Sequence, residues 1–213
     1  LVADVTVKGG KLARGKRFTG TGPAQPYLDL ALFGLMARAP AGSPLPKLRA
    51  QIKELDLVLL SQAYPLDGFT ALNRLSLNVG DEVTPDLSGF GPMPQLTHLK
   101  VNGRRWGSSG ALICLNGLQA PALIEVDLSC SRVQDISALR HSSKITDLNL
   151  SENPELVDLS GLESCAPSLT TLNLNDCKQV DSLEILKTAK KLNRCVVTDE
   201  LWTIDNFTQL IRP

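Results

Sequence analysis

Gly10, Gly15 and Lys16 stand at the spacing of a phosphate-binding loop, GxxxxGK. In such a loop backbone N–H groups wrap the phosphates, the lysine reaches the outer ones, and a following Ser or Thr holds magnesium. Here Arg17 takes that last place, and Thr19–Gly20–Thr21–Gly22–Pro23 cannot propagate the helix whose N-terminus must face the anion. The spacing is read as coincidence, and no nucleotide is expected. Other chemistry is equally short of partners. Cys114, Cys130, Cys165, Cys177 and Cys195 contain no CxxC pair, and His98 and His141 are the only histidines. Zinc sites need ligands paired a few residues apart, and a catalytic thiol needs a base within reach. An odd, scattered cysteine set also argues against a disulfide-built secreted domain, so a reducing, cytoplasmic compartment is expected. The chain reads as non-enzymatic, with no metal and no cofactor.

The elements that position side chains must come from an aliphatic core. Hydrophobic residues make up 43% of 213 residues but aromatics only 4%, so Leu, Val, Ile and Ala have to do the packing. The richest apolar stretch, Leu28 to Ala39, is interrupted by Asp29, Gly34 and Arg38, too short for a membrane span. Formal charge is zero, yet residues 1–50 hold eight Lys/Arg against two Asp/Glu, which leaves 14 basic and 20 acidic residues beyond. The basic leader lacks interleaved aromatics, so nucleic acid is the weaker reading of it.

One pattern recurs: apolar, two variable, apolar, one variable, apolar. It opens at Ile52, Leu72, Leu96, Leu123, Ile145, Leu169 and Leu192, at spacings of 20, 24, 27, 22, 24 and 23 residues. Full copies are Leu123, Val126, Leu128; Ile145, Leu148, Leu150; and Leu169, Leu172, Leu174, while Leu192, Cys195, Val197 is degenerate. Apolar residues two apart place both side chains on one face of a strand. Three residues later stands a small polar residue, Ser131, Asn153 or Cys177, suited to satisfying turn backbone. Ile136 and Leu139, Leu159 and Leu162, and Leu183 and Leu186 then supply a second apolar set for the return side.

These residues resemble the leucine-rich-repeat pattern LxxLxLxxNxL. Val133–Leu139 and Leu156–Leu162 look like the short repeats of phosphatase-regulator and internalin-like proteins. The repeat from Leu72 lacks the Asn-type residue at a regular place, and that from Leu96 carries a longer connection. The resemblance implies an α/β fold: a leucine-rich-repeat solenoid with a parallel concave sheet of about seven strands and irregular or helical convex connections. The expected layout is a basic Gly-rich leader over 1–27, of a composition that favours disorder, and an N-terminal cap over 28–51. Repeats then run over 52–197, with a C-terminal cap over 198–213.

With chemistry set aside, the variable strand positions carry the functional expectation: a scaffold or recognition module binding a protein on its concave face. Arg74, His98 and Lys100 come first along the repeats, and Glu125, Asp127 and Asp147 follow, a divided face able to orient a partner. Asn149 and Asn173 continue it. Arg104, Arg105 and Trp106, in a Gly-rich stretch after Val101, have the residue types of interface anchors. No membrane and no small-molecule substrate is expected. The rival readings are the substrate-recognition segment of a larger enzyme or secreted effector, such as a ubiquitin ligase, and a nucleic-acid-associated protein acting through its basic leader.

Overall fold

The computed structural model describes residues 5–8, 11–14, 53–59, 69–79, 91–103 and 115–197, together with Ala50 and Leu87. Among them nine strands lie in one sheet in chain order. They are β1 (Val5–Lys8), β2 (Lys11–Arg14), β3 (Glu54–Leu59), β4 (Arg74–Val79), β5 (His98–Asn102), β6 (Glu125–Asp127), β7 (Asp147–Asn149), β8 (Thr171–Leu174) and β9 (Arg194–Val197). From β3 to β9 every neighbouring pair is parallel. A parallel pair requires a crossover, so each repeat is one coil: strand, turn, return segment, turn.

Alternation drives each strand. In β4 and β5 every second residue is buried, and the residues between are partly or wholly exposed. Equivalent apolar residues stack in register: Leu55, Leu75, Leu99, Val126, Leu148, Leu172 and Cys195 form one file through the core. The repeat-opening residues Leu72, Leu96, Leu123, Ile145 and Leu169 are fully buried behind them. Burial of each such side chain contributes about 1.5–3 kcal/mol. The return side is closed by 3₁₀ turns at Ser137–His141, Ser160–Leu162 and Glu184–Thr188, with an extra one at Ala166–Ser168. Short side chains start them. Asp135 accepts from Ser137 N at 2.7 Å, Asp158 from Ser160 N at 2.8 Å, and Ser182 Oγ from Glu184 N at 3.2 Å. The expected return-side residues Ile136, Leu139, Leu159, Leu162, Leu183 and Leu186 are all buried there.

Between strand and return, the small polar residues hold successive coils together. Asn153 is fully buried. Its Oδ1 accepts from Ser131 N at 3.2 Å and Val133 N at 2.9 Å, while Nδ2 donates to Leu128 O at 2.9 Å and Leu150 O at 2.7 Å. Ser131 Oγ reaches back to Val101 O at 2.9 Å, and Cys177 Sγ to Leu150 O at 2.9 Å. The residue just before each of these is left-handed: Cys130 at φ 55, Glu152 at φ 58 and Asp176 at φ 58. That conformation costs roughly 1–2 kcal/mol without glycine. It points backbone N–H groups at the next coil, where Cys130 N meets Ser151 O at 3.0 Å and Glu152 N meets Asn175 O at 2.7 Å.

Within the leader expected over 1–27, β1 and β2 pair antiparallel and join the sheet through Lys11 opposite Glu54. Lys11–Arg14 is therefore extended, paired chain rather than a phosphate-cradling loop. The expected caps over 28–51 and 198–213 lie outside the described residues, apart from Ala50.

Two substitutions test the coil-to-coil contacts. Asn153→Ala strips partners from buried N–H and C=O groups of two coils, each worth roughly 1–3 kcal/mol. The expected loss is about 3 kcal/mol or more in urea denaturation, and Asn153→Cys, which retains the bond that Cys177 makes, loses less. Gly161 is the point of closest approach on the return side. A Cβ there would lie 2.2 Å from Ile136 O and 2.6 Å from Ile136 C, both backbone. Gly161→Ala is expected to cost about 2 kcal/mol by overpacking, read as a lowered urea midpoint.

Candidate functional site

The strand residues that do not enter the core form two rows across the sheet. The upper row runs Glu54, Arg74, His98, Glu125, Asp147, Thr171, Arg194. The lower runs Asp56, Ser76, Lys100, Asp127, Asn149, Asn173, Val196. Eight candidates from the sequence fall on them: Arg74, His98, Glu125 and Asp147 in the first, Lys100, Asp127, Asn149 and Asn173 in the second. Arg104, Arg105 and Trp106 lie outside the described residues.

Register decides what these side chains do. Parallel strands lie about 4.8 Å apart, so opposite charges on adjacent coils meet. Lys100 Nζ is 3.1 Å from Asp127 Oδ2. Arg74 Nη2 lies 3.1 Å from His98 Nε2, and the same nitrogen is 3.3 Å from Glu125 Oε1. The divided face expected from the sequence is thus largely paired at its own boundary. Asp147 stands past that boundary and accepts from its neighbour Thr146 Oγ1 at 2.6 Å.

Asp127 and Asn149 also end their strands, and Asn173 stands one residue before the end of its own. Asp127 Oδ1 accepts from Ser129 N at 3.1 Å, Asn149 Oδ1 from Ser151 N at 3.1 Å, and Asn173 Oδ1 from Asn175 N at 3.0 Å. Each is an Asx turn, in which a short side chain replaces the next ladder bond. Asn149 Nδ2 also donates to Asp127 Oδ1 at 3.1 Å. Half-burial of Asp127 by itself raises its pKa, but hydrogen bonds from Ser129 and the charge of Lys100 outweigh it, and the net position is below the usual 3.8.

One contributor, Arg194, was missed in the sequence. Thr97 Oγ1 lies 2.8 Å from His98 Nδ1 and 3.1 Å from Asn73 O. Thr146 and Thr170 hydroxyls make the same reach to the carbonyl of the preceding coil. Arg194 closes the upper row. The signal was available, because Arg74, His98, Glu125, Asp147, Thr171 and Arg194 each stand two residues after a repeat opens.

Little here is arranged for covalent chemistry. The Thr97 hydroxyl lies 2.8 Å from His98 Nδ1 and 3.1 Å from Asn73 O, a contact between adjacent residues at the start of β5. Burial pushes the Cys165 and Cys177 thiols up to about 11 and the Cys195 thiol to about 12. These are packing residues. Among the described residues no group of three or more His, Cys, Asp or Glu side chains could hold a metal ion, and no helix is long and apolar enough to cross a membrane.

A group whose folded pKa is lowered stabilises the fold above its unfolded value and loses that contribution as pH falls through the folded one. Asp127→Asn keeps the Asx turn, as Asn149 and Asn173 do, and removes the charge. The stability gap between wild type and Asp127→Asn is expected to be full above the ordinary value of 3.8 and to shrink as pH falls below it. Urea midpoints across that acid range measure it.

No family model matches the sequence, and no curated protein does. Solved structures do match the fold. An internalin (inlF) of Listeria monocytogenes is similar at a TM-score of 0.59 and 23% identity, over 80% of this chain and 51% of that one. This chain therefore spans about half the length of that internalin. A second, internalin C2 (inlC2) of the same organism, matches over 80% of this chain and 85% of that one at 17% identity and a TM-score of 0.41. The repeated strands, the inter-coil polar residues and the likeness to the first of these internalins agree: in fold, this chain is a leucine-rich-repeat solenoid.

Proposed function

We propose that this chain is a non-catalytic recognition module that binds a partner protein across the concave face of its sheet. The observation that carries the reading is the pair of rows. Seven parallel strands at ~4.8 Å present a surface about 29 Å long, with its side chains standing on a sheet whose opposite face is buried. Ordering such side chains on binding costs little. Asp127, Asn149 and Asn173 of the lower row are occupied in Asx turns, which leaves the upper row as the surface where residue identity is least constrained by the fold. Arg104, Arg105 and Trp106, which follow Gly103 in the sequence, are proposed as partner-binding residues on their residue types.

A cytoplasmic location is part of the proposal; it is supported by Cys165 and Cys177, packed as thiols in successive coils. The half-length coverage of the internalin leaves room for the reading as the recognition segment of a longer protein. The nucleic-acid reading has less support, since Lys8, Lys11 and Arg14 of the basic leader lie on strands of the sheet.

Proximity labelling with the full chain identifies bound proteins, and titration with the strongest of them measures the face. Reversal of Glu125 and Asp147 to Arg is expected to weaken binding and alter its salt dependence. Trp106→Ala is expected to cost about 2 kcal/mol, mainly through faster dissociation. Glu163→Arg, on the return side, is the control. Loss of binding in that control while the sheet-face variants are silent would overturn the reading.

A further inference from the structure

His98 on β5 stands at one register level between Arg74 on β4 and Glu125 on β6. Its Nε2 is 3.1 Å from the guanidinium and 3.3 Å from the carboxylate. One ring nitrogen cannot serve both. With a bare lone pair it accepts an N–H from Arg74 and repels the Glu125 oxygen; with a proton it donates to Glu125 and repels Arg74. The other nitrogen is fixed. Thr97 Oγ1 lies 2.8 Å from Nδ1 and 3.1 Å from Asn73 O; with the hydroxyl proton on the carbonyl, Nδ1–H donates to the hydroxyl oxygen, and this is the tautomer on which the exchange is built. That bond suits both the neutral ring and the imidazolium, which leaves Nε2 as the only position that changes.

The surrounding charges do not remove the competition. Lys100 on the same strand is engaged with Asp127 on β6. Glu54 lies beyond Arg74 in the row, on β3, and Asp147 lies beyond Glu125, on β7. The His98 side chain is 24% exposed and that of Glu125 58%, so the ring is held while the carboxylate can swing away.

We propose that protonation of His98 exchanges its partner from Arg74 to Glu125. The sheet face then offers a bound protein a free carboxylate in the neutral state and a free guanidinium in the protonated one. This regulation rests on the proposed use of that face, but the exchange itself is a property of the chain alone.

Side-chain NMR of the full chain tests it directly. The ¹⁵N shifts of neutral His98 are expected to report the Nδ1–H tautomer, and the Glu125 carboxyl ¹³C resonance to carry a step that coincides with His98 titration. His98→Gln should abolish that step, and the Arg74 guanidinium protons should exchange faster with water once the ring is protonated. An Nε2–H tautomer, or a Glu125 resonance blind to the His98 titration, overturns the exchange. Affinity for the labelled partner, compared at about pH 5.5 and about pH 8, is expected to differ several-fold in wild type and less than about twofold in His98→Gln. An unchanged pH profile in His98→Gln, with Glu125 and Asp147 reversal still abolishing binding, overturns the regulation and leaves the binding face standing. Binding indifferent to both overturns the face, and the resonances still decide the exchange.

Discussion

Each coil of this solenoid buries backbone N–H and C=O groups that its own strand and return cannot satisfy, and the missing partner comes from a side chain one coil away. Asn153 is the fullest case, with bonds to the backbone of its own coil and of the one before. An unpaired buried amide group costs roughly as much as several apolar contacts supply. Much of the local geometry follows from meeting that demand. The chain turns through a left-handed residue at Cys130, Glu152 and Asp176 so that the polar side chain points inward. The strand stops at Asp127, at Asn149 or one residue after Asn173, and the side-chain oxygens of these three take the backbone bond that the ladder gives up.

With neighbouring coils tied in this way, strand spacing is fixed, and fixed spacing turns a list of surface residues into rows. A charge on one strand then has a defined neighbour on the next. Lys100 and Asp127, or Arg74, His98 and Glu125, are far apart in sequence yet in contact across the sheet. The boundary between basic and acidic repeats becomes a seam of internal pairs, so the field offered to a partner is smaller than the formal charges imply. What distinguishes the face is its order: side chains at regular intervals on a rigid support, with one histidine in contact with groups of both signs.

The return side serves the same order by other means. Asp135 and Asp158 start their 3₁₀ turns by accepting from Ser137 and Ser160, and Ile136 and Leu159 plug the core from behind. Gly161 lets two such turns approach so closely that a methyl group would strike the Ile136 carbonyl. Both aspartates are exposed, and both cap turns. The lowered pKa of Asp158 reflects the hydrogen bonds from the Ser160 hydroxyl and backbone.

The periodic leucines, the small polar residue after each strand and the second apolar set were enough to read the coil, its sheet and its core, because local spacing dictates which side chains share a face. Ser131, Asn153 and Cys177 were legible as turn residues for the same reason, and so was the membership of Arg74, Lys100, Asp127 and Asn149 in the exposed strand positions. Repeat phase puts Arg74, His98 and Glu125 at one level although coil lengths vary between 20 and 27 residues, but which side-chain atoms meet at that register was not in the spacing. That register set His98 Nε2 between a guanidinium and a carboxylate, gave Thr97 the carbonyl of Asn73, and spent Asp127 on Lys100 and Ser129. Sequence determined which residues face outward; the stacking of coils decided which of them meet.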